Sequence, residues 1–141
     1  MNDRINLKVK DRAYWRPLAP SVLAEAAPAW MDVDSAASPS HMTMNLTYPV
    51  RPAQRQRIPA VVHADGCTRA QLVTERLNPR YHRLISRFDQ LTGVPMVLNT
   101  SMNGPGEPIV NSPDEAVALY LRSGLDALVL GDLLVQRGEE A

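Results

Sequence analysis

The sequence contains only one cysteine, one phenylalanine and two lysines among 141 residues. The single cysteine, Cys67, excludes an internal disulfide framework and a zinc site built on paired cysteines. No apolar stretch approaches the ~18 residues of a membrane span, and the polar N-terminus does not resemble a signal peptide, so we expect no membrane partner and a cytoplasmic location. Fifteen basic residues balance fifteen acidic ones, which argues against a nucleic-acid partner.

The composition and length indicate one globular domain over residues 1–141. Hydrophobic residues make up 45% of the chain, which is normal for a folded protein and argues against wholesale disorder. A chain of this length has the size of a typical single domain and buries enough surface to fold independently.

The second half of the chain predicts alternating helices and strands. Asn78 caps a helix whose apolar residues recur at spacings of three and four as far as Gly93. A strand follows over residues 94–98, Ser112 begins a capping box that opens a second helix, and residues 127–130 form another apolar strand. This alternation predicts an α/β fold.

The first half is rich in proline and predicts shorter elements. Residues 21–27 indicate a short helix ended by Pro28, residues 32–43 a polar loop or lid, and residues 46–50 a strand. Residues 60–64 and 68–73 flank an Asp-Gly turn, so we predict a hairpin there.

The segment LNTSMNGPGEPIV, residues 98–110, follows a predicted strand and is rich in polar side chains. Hydroxyls, amides and loop N–H groups at the end of a strand are suited to bind a phosphate or a nucleotide. An ordinary turn rich in Asn and Gly has the same composition, and the segment lacks the GKS or GKT of a P-loop. The candidate residues are Asn99, Thr100, Ser101 and Asn103, with Glu107 in the same polar segment.

Basic residues cluster near the N-terminus. Lys8, Lys10 and Arg12 alternate along the chain, so an extended strand would place them on one face, with Arg16 nearby. Such a face would bind an anion, of which polyphosphate is the obvious example. The alternative is a solvated edge strand whose lysines oppose aggregation.

The segment HADGCTRAQ contributes His63 and Arg69. His63 could act as a general base or donate to a phosphate, although a histidine beside Asp65 is also typical of a hydrogen-bonded turn. The three histidines are too scattered to predict a metal site, and no nucleophile–base–acid triad is apparent.

Several segments resemble one family in the same order along the chain: KVKDRAYWRPLAPSVLAE, IPAVVHADGCTRAQLV, TGVPMVLNTSMNGPGEPIV and SPDEAVALYLRSGLDALVLGD. They resemble the C-terminal domain of the O-carbamoyltransferases of nodulation-factor and antibiotic biosynthesis, including the tobramycin and cephamycin enzymes. The likeness extends from Asn6 to about Gln136. That domain is YrdC-like, so the resemblance implies a twisted mixed sheet with flanking helices.

The resemblance also implies an activity. In that family carbamoyl phosphate and ATP form carbamoyl-adenylate with release of pyrophosphate, and Mg²⁺ would accompany ATP. A larger N-terminal, actin-like domain then moves the carbamoyl group to a hydroxyl of a small molecule or sugar. We expect this domain or subunit as a partner, and only partial activity without it. The alternative is a non-catalytic nucleotide-binding or interaction module left from a split carbamoyltransferase gene.

The site residues implied by the resemblance follow from two signatures of the related threonylcarbamoyl-adenylate synthases, Lys-x-Arg and Ser-x-Asn. The residues that match these signatures, and are implied to be catalytic, are Lys10, Arg12, Ser101 and Asn103. The residues implied to bind the substrates are Lys8, Arg16, His63, Arg69, Asn99 and Thr100.

Three positions depart from the family pattern. Ala13 stands where Glu is usual after Lys-x-Arg, which could loosen a salt bridge that orients Arg12. Cys67 stands where Thr is usual, which removes a hydroxyl hydrogen bond, and Met102 stands where Phe is usual. None of the three is a signature residue, so we expect the site to be retained.

Overall fold

The computed structural model describes residues 3–13, 15–33 and 39–138. The chain divides into two compact units. One unit, here called the central unit, is Pro17–Thr100. The other, here called the terminal unit, combines Met1–Arg16 with Ser101–Ala141.

The central unit is built on a three-stranded mixed sheet. Strand β1 (Ala19–Leu23) lies in the middle, parallel to β4 (Gln71–Val73) and antiparallel to β5 (Met96–Asn99). A separate two-stranded ribbon pairs β2 (Tyr48–Pro49) with β3 (Cys67–Thr68) in antiparallel orientation. All five residues of β1 are buried, as expected for the central strand of a covered sheet.

Helix α1 (Pro79–Thr92) packs on the central unit. The side chain of Asn78 accepts a hydrogen bond from the first turn of this helix at 3.2 Å, and Pro79 occupies a position that needs no N–H donor. Gly93 ends the helix with φ 69°, a left-handed conformation that glycine adopts without steric cost. The inner face of the helix completes an apolar cluster that contains Leu23, Val73 and Ile85.

The terminal unit contains helix α2 and a hairpin. Helix α2 (Pro113–Arg122) begins at Ser112, whose hydroxyl accepts a hydrogen bond from the backbone of the first turn at 3.2 Å. Strands β6 (Ala127–Leu130) and β7 (Leu133–Gln136) pair in antiparallel orientation. One side of this layer forms an apolar cluster that contains Ala116, Tyr120 and Leu128.

The predicted α/β class, with a mixed sheet and flanking helices, is confirmed. Both predicted helices, with their capping residues, and the strands predicted over residues 94–98 and 127–130 are present. The short strand β2 lies within the predicted strand over residues 46–50. Part of the predicted polar loop, residues 34–38, lies outside the described residues. No helix in the described ranges has the length and apolar character needed to cross a bilayer.

Two predictions over residues 21–73 are wrong. Residues 21–27 do not form a helix, because their first part belongs to β1; a fully buried strand is a continuous apolar run that periodicity does not separate from a buried helix. The hairpin over residues 60–73 is also absent. Its turn is present, since the Gly66 N–H donates to the His63 carbonyl at 2.9 Å. However, β3 pairs with β2 and β4 pairs with β1.

Candidate functional site

The ammonium of Lys10 is the centre of a polar cluster in the terminal unit. Its Nζ lies 2.5 Å from the Ser101 carbonyl oxygen, 3.4 Å from Ser101 Oγ, 3.1 Å from the Asn103 carbonyl oxygen and 2.7 Å from Asn103 Oδ1. Ser101 Oγ also donates to Asn103 Oδ1 at 2.5 Å. An ammonium has three donors, so these four oxygens saturate it. Lys10 therefore joins the two signatures directly and fixes Ser101 and Asn103 in place.

Burial affects the charge of this lysine. The Lys10 side chain is buried, and burial, followed by the positive charge of Arg12, lowers the pKa of the Lys10 ammonium. The surrounding carbonyl and amide oxygens oppose this effect, because hydrogen bonds to the charged form stabilise it.

The predicted extended strand through Lys8, Lys10 and Arg12 is wrong. Arg4–Val9 instead form one wide helical turn, in which the Lys10 N–H donates to the Ile5 carbonyl at 2.9 Å. The backbone then reverses at Asp11, which has φ 42°. The turn satisfies its backbone groups locally, so no neighbouring strand is needed. The side chain of Lys8 lies outside the described part of the structure.

A buried amide, Asn6, contacts the side chain of Arg12 and the backbone of Arg16. Asn6 is fully buried; its Oδ1 accepts from Arg12 Nε at 2.8 Å, and its Nδ2 donates to the Arg16 carbonyl at 2.9 Å. Burial and the positive charge of Arg16 lower the pKa of the Arg12 guanidinium. Among the described residues neither arginine forms an ion pair with a carboxylate. Two neighbouring guanidiniums without a carboxylate partner favour binding of an anion.

These groups line a cavity of about 380 Å³ within the terminal unit. Its walls carry three cationic side chains and one carboxylate, and its remaining surface comes from polar side chains and the backbone of a glycine-rich loop. Among the described residues that line the cavity none is aromatic, and the polar and cationic groups present suit phosphate and carbamoyl groups. The lining residues are Lys10, Asp11, Arg12, Arg16, Ser101, Asn103, Gly104, Pro105 and Gly106.

Glu107 stabilises the loop that carries Asn103 through hydrogen bonds to Asn103 and Gly104. Glu107 Oε2 accepts a hydrogen bond from the Gly104 N–H at 3.2 Å and pairs with Arg122 of α2. The Glu107 carbonyl accepts from Asn103 Nδ2 at 2.9 Å. Because Asn103 Oδ1 faces Lys10 while its Nδ2 is held by Glu107, the orientation of this amide is fixed at both ends.

We expect Gly104→Ala to disturb these contacts of Glu107. A Cβ at position 104 would lie 2.5 Å from Glu107 Oε2, so the carboxylate would leave the Gly104 N–H and Arg122. We expect the free energy of unfolding in urea to fall by about 0.5–1.5 kcal/mol, the value of a lost hydrogen bond.

Two comparisons isolate this cause. Gly138→Ala is the control, because an added Cβ there meets nothing within 4 Å. In a Glu107→Ala background Gly104→Ala should have little further effect. If Gly104→Ala lowers the free energy of unfolding equally in the unmodified chain and in the Glu107→Ala variant, Glu107 does not hold the loop.

The other predicted binding residues lie in the central unit. His63 Nε2 is 3.4 Å from the Leu18 carbonyl oxygen, and Arg69 and Thr100 are exposed. Asn99 belongs to a polar network, in which its Nδ2 donates to Ser21 Oγ at 2.9 Å and to Gln71 Oε1 at 2.8 Å. This network joins all three strands of the sheet. The binding roles of these four residues stay predictions.

Cys67 is half-buried and follows the Asp65 turn. Burial, followed by the charge of Asp65 and a hydrogen bond to it, raises the pKa of the Cys67 thiol. A raised pKa favours the unreactive thiol over the thiolate. In the part of the chain that the structure describes, no group of three or more His, Cys, Asp or Glu side chains could hold a metal ion.

The fold and the cationic cavity define an α/β protein with a site suited to bind an anion. The chain belongs to the carbamoyltransferase C-terminus family, whose sequence profile matches residues 1–137. The predicted family resemblance is therefore confirmed.

Three relatives illustrate this similarity. Nodulation protein NolNO of Sinorhizobium fredii is 42% identical over 135 residues, which cover 96% of this chain and 20% of the relative. Nodulation protein NolO of Bradyrhizobium diazoefficiens is 39% identical over 135 residues, which cover 96% of this chain and 24% of the relative. The 3'-hydroxymethylcephem-O-carbamoyltransferase of Amycolatopsis lactamdurans is 33% identical over 137 residues, which cover 97% of this chain and 25% of the relative. The chain thus spans about a fifth to a quarter of the length of these relatives.

Proposed function

We propose that the chain catalyses ATP-dependent formation of carbamoyl-adenylate from carbamoyl phosphate, as the C-terminal half-reaction module of an O-carbamoyltransferase. The observation that carries this proposal is the direct contact of Lys10 with Ser101 and Asn103. Beside them lie two arginines that form no ion pair with any carboxylate in the described part of the chain. Family membership supports carbamoyl transfer as the overall chemistry.

In the proposed reaction water attacks the phosphorus of carbamoyl phosphate, and the bond between that phosphorus and the bridging oxygen breaks. This step releases phosphate and leaves carbamate with both of its oxygens, one of which attacks the α-phosphorus of ATP. The bond between the α-phosphorus and its bridging oxygen breaks, and pyrophosphate leaves with the electron pair. ATP would bring Mg²⁺ with it as part of the substrate. No covalent intermediate with the protein is required.

The residues of the cavity have separate parts in this reaction. Arg12 and Arg16 neutralise negative charge on the phosphates, which lowers the barrier to attack by an anion. Ser101 and Asn103, held by Lys10, orient the carbamate or a phosphate oxygen for in-line attack. Lys10 acts chiefly by holding these two residues, because its donors are already occupied.

The test is pyrophosphate release from purified chain, ATP and Mg²⁺, with and without carbamoyl phosphate. We expect release that depends on carbamoyl phosphate, that is lost in Arg12→Ala, and that is unchanged in Arg76→Ala, which removes an exposed arginine outside the cavity lining. No release, with ATP still bound, would contradict the proposal and favour a non-catalytic nucleotide-binding module. The absence of both pyrophosphate release and ATP binding would exclude a nucleotide site in this chain.

We further propose that transfer to an acceptor hydroxyl takes place in a larger actin-like domain or subunit. The support is the length of the relatives, of which this chain covers only 20–25%. The acceptor would be a small molecule or sugar bound by that larger domain.

A further inference from the structure

Helix α1 carries a stripe of exposed apolar side chains beside its buried face. Leu84, Phe88 and Leu91 follow one another at spacings of four and three, so they lie on one face. They are 54%, 40% and 75% exposed, whereas Ile85 on the inner face is fully buried. Contiguous exposed apolar side chains of this size are typical of a surface that binds a partner.

Basic residues border this stripe. Arg83 and Arg87 are exposed and, together with Leu84, line a shallow groove of about 350 Å³. Arg87 donates to Gln90 Oε1 at 2.7 Å. Within residues 3–13, 15–33 and 39–138, neither arginine pairs with a carboxylate. We call the surface formed by these two arginines and the three apolar residues the α1 patch.

The charge of the α1 patch limits its partner. In a symmetric contact between two copies, each α1 patch would face another of the same charge, and the arginines would repel one another. A surface with an apolar centre and carboxylates at its edge complements the patch instead. Apolar side chains at the centre of the patch also do not suit a phosphate backbone.

The relatives contain a candidate for this partner. Nodulation protein NolNO has about four-fifths of its length outside the segment that this chain matches. We propose that the α1 patch binds the larger domain that carbamoyltransferases of this family carry, through an apolar surface edged by carboxylates on that domain. This inference rests on the proposed function only in that it requires such a domain.

The experiment measures binding between this chain and a recombinant fragment of NolNO that lacks the matched segment, by isothermal titration calorimetry. We expect Leu91→Gln to weaken binding tenfold or more, because it removes apolar contact while glutamine keeps a high helix propensity. The matched control is Leu121→Gln, which changes a 64% exposed leucine on α2. Arg87→Glu should also weaken binding and reduce its dependence on salt. Circular dichroism checks that each variant is folded.

Three results would overturn the inference. They are no binding by the unmodified chain, equal binding by Leu91→Gln, or self-association of the unmodified chain, in sedimentation equilibrium, that Leu91→Gln abolishes. Pyrophosphate binding is measured on the same samples. A chain that binds pyrophosphate but not the fragment contradicts only this inference. A chain that binds the fragment but not pyrophosphate contradicts only the proposed function.

Discussion

Replacement of Lys10 by methionine is expected to abolish pyrophosphate binding and to lower the free energy of unfolding by about 1–3 kcal/mol. Methionine has nearly the same length as lysine but no donors. The Ser101 carbonyl and Asn103 Oδ1, which lie 2.5 and 2.7 Å from the ammonium, would lose their partner in a partly buried site. Leaving partly buried acceptors unpaired removes these hydrogen bonds and adds part of the cost of desolvating the acceptors.

Two measurements separate the parts of this prediction. Urea denaturation gives the change in stability, and calorimetric titration with pyrophosphate gives the change in binding. Arg76→Met is the control, because it removes an exposed positive charge outside the cavity lining. If Lys10→Met has the same free energy of unfolding as the unmodified chain and binds pyrophosphate within threefold of its affinity, Lys10 does not hold the loop.

Replacement of Arg12 by lysine is expected to weaken pyrophosphate binding about tenfold or more with less effect on stability. Asn6 holds Arg12 Nε at 2.8 Å, which orients the guanidinium so that its terminal nitrogens can bind two oxygens of one phosphate. A lysine keeps the positive charge but has no planar pair of donors. The substitution therefore tests geometry and not charge.

The measurement is pyrophosphate titration of Arg12→Lys beside Arg76→Lys, the same change at an exposed arginine that does not line the cavity. Asn6→Ala should also weaken pyrophosphate binding, by less than Arg12→Lys, because it removes the acceptor that orients the Arg12 guanidinium. If Arg12→Lys binds pyrophosphate as tightly as the unmodified chain, the planar guanidinium of Arg12 does not bind the phosphate.

The elements that sequence analysis predicted correctly depend on local chemistry. Asn78 and Ser112 accept hydrogen bonds from backbone groups three residues ahead, so a few neighbouring residues determine where both helices begin. Two of the wrong predictions, the helix over residues 21–27 and the hairpin over residues 60–73, involve pairing at a distance. Residues 21–23 pair with strands about 50 and 75 positions further along the chain, and no local signal distinguishes that buried strand from a short helix.

The site was predictable only in part for the same reason. Lys10 and Ser101 are 91 positions apart, and only the family resemblance placed them in one site. That resemblance did not indicate that the ammonium would be enclosed by the loop it meets. Asn6 lies in the basic cluster and Glu107 in the polar segment that the sequence singled out, but neither they nor Arg122 received a role in binding or catalysis. Their contribution is to orient other residues, and it depends on contacts across the folded unit.

The proposed function depends on the attack of carbamate on the α-phosphorus of ATP in the cavity beside Lys10 and Arg12. Its most direct test is transfer of oxygen label, using carbamoyl phosphate with ¹⁸O at the carbonyl and bridging positions together with unlabelled ATP and Mg²⁺. Carbamoyl-adenylate formed by this attack places a labelled oxygen on the α-phosphorus, where it remains when the carbamoyl group is lost. We expect the unmodified chain to form AMP that carries ¹⁸O, detected by mass spectrometry, and Arg12→Ala to form none. Unlabelled AMP, or no AMP from the unmodified chain, would contradict it.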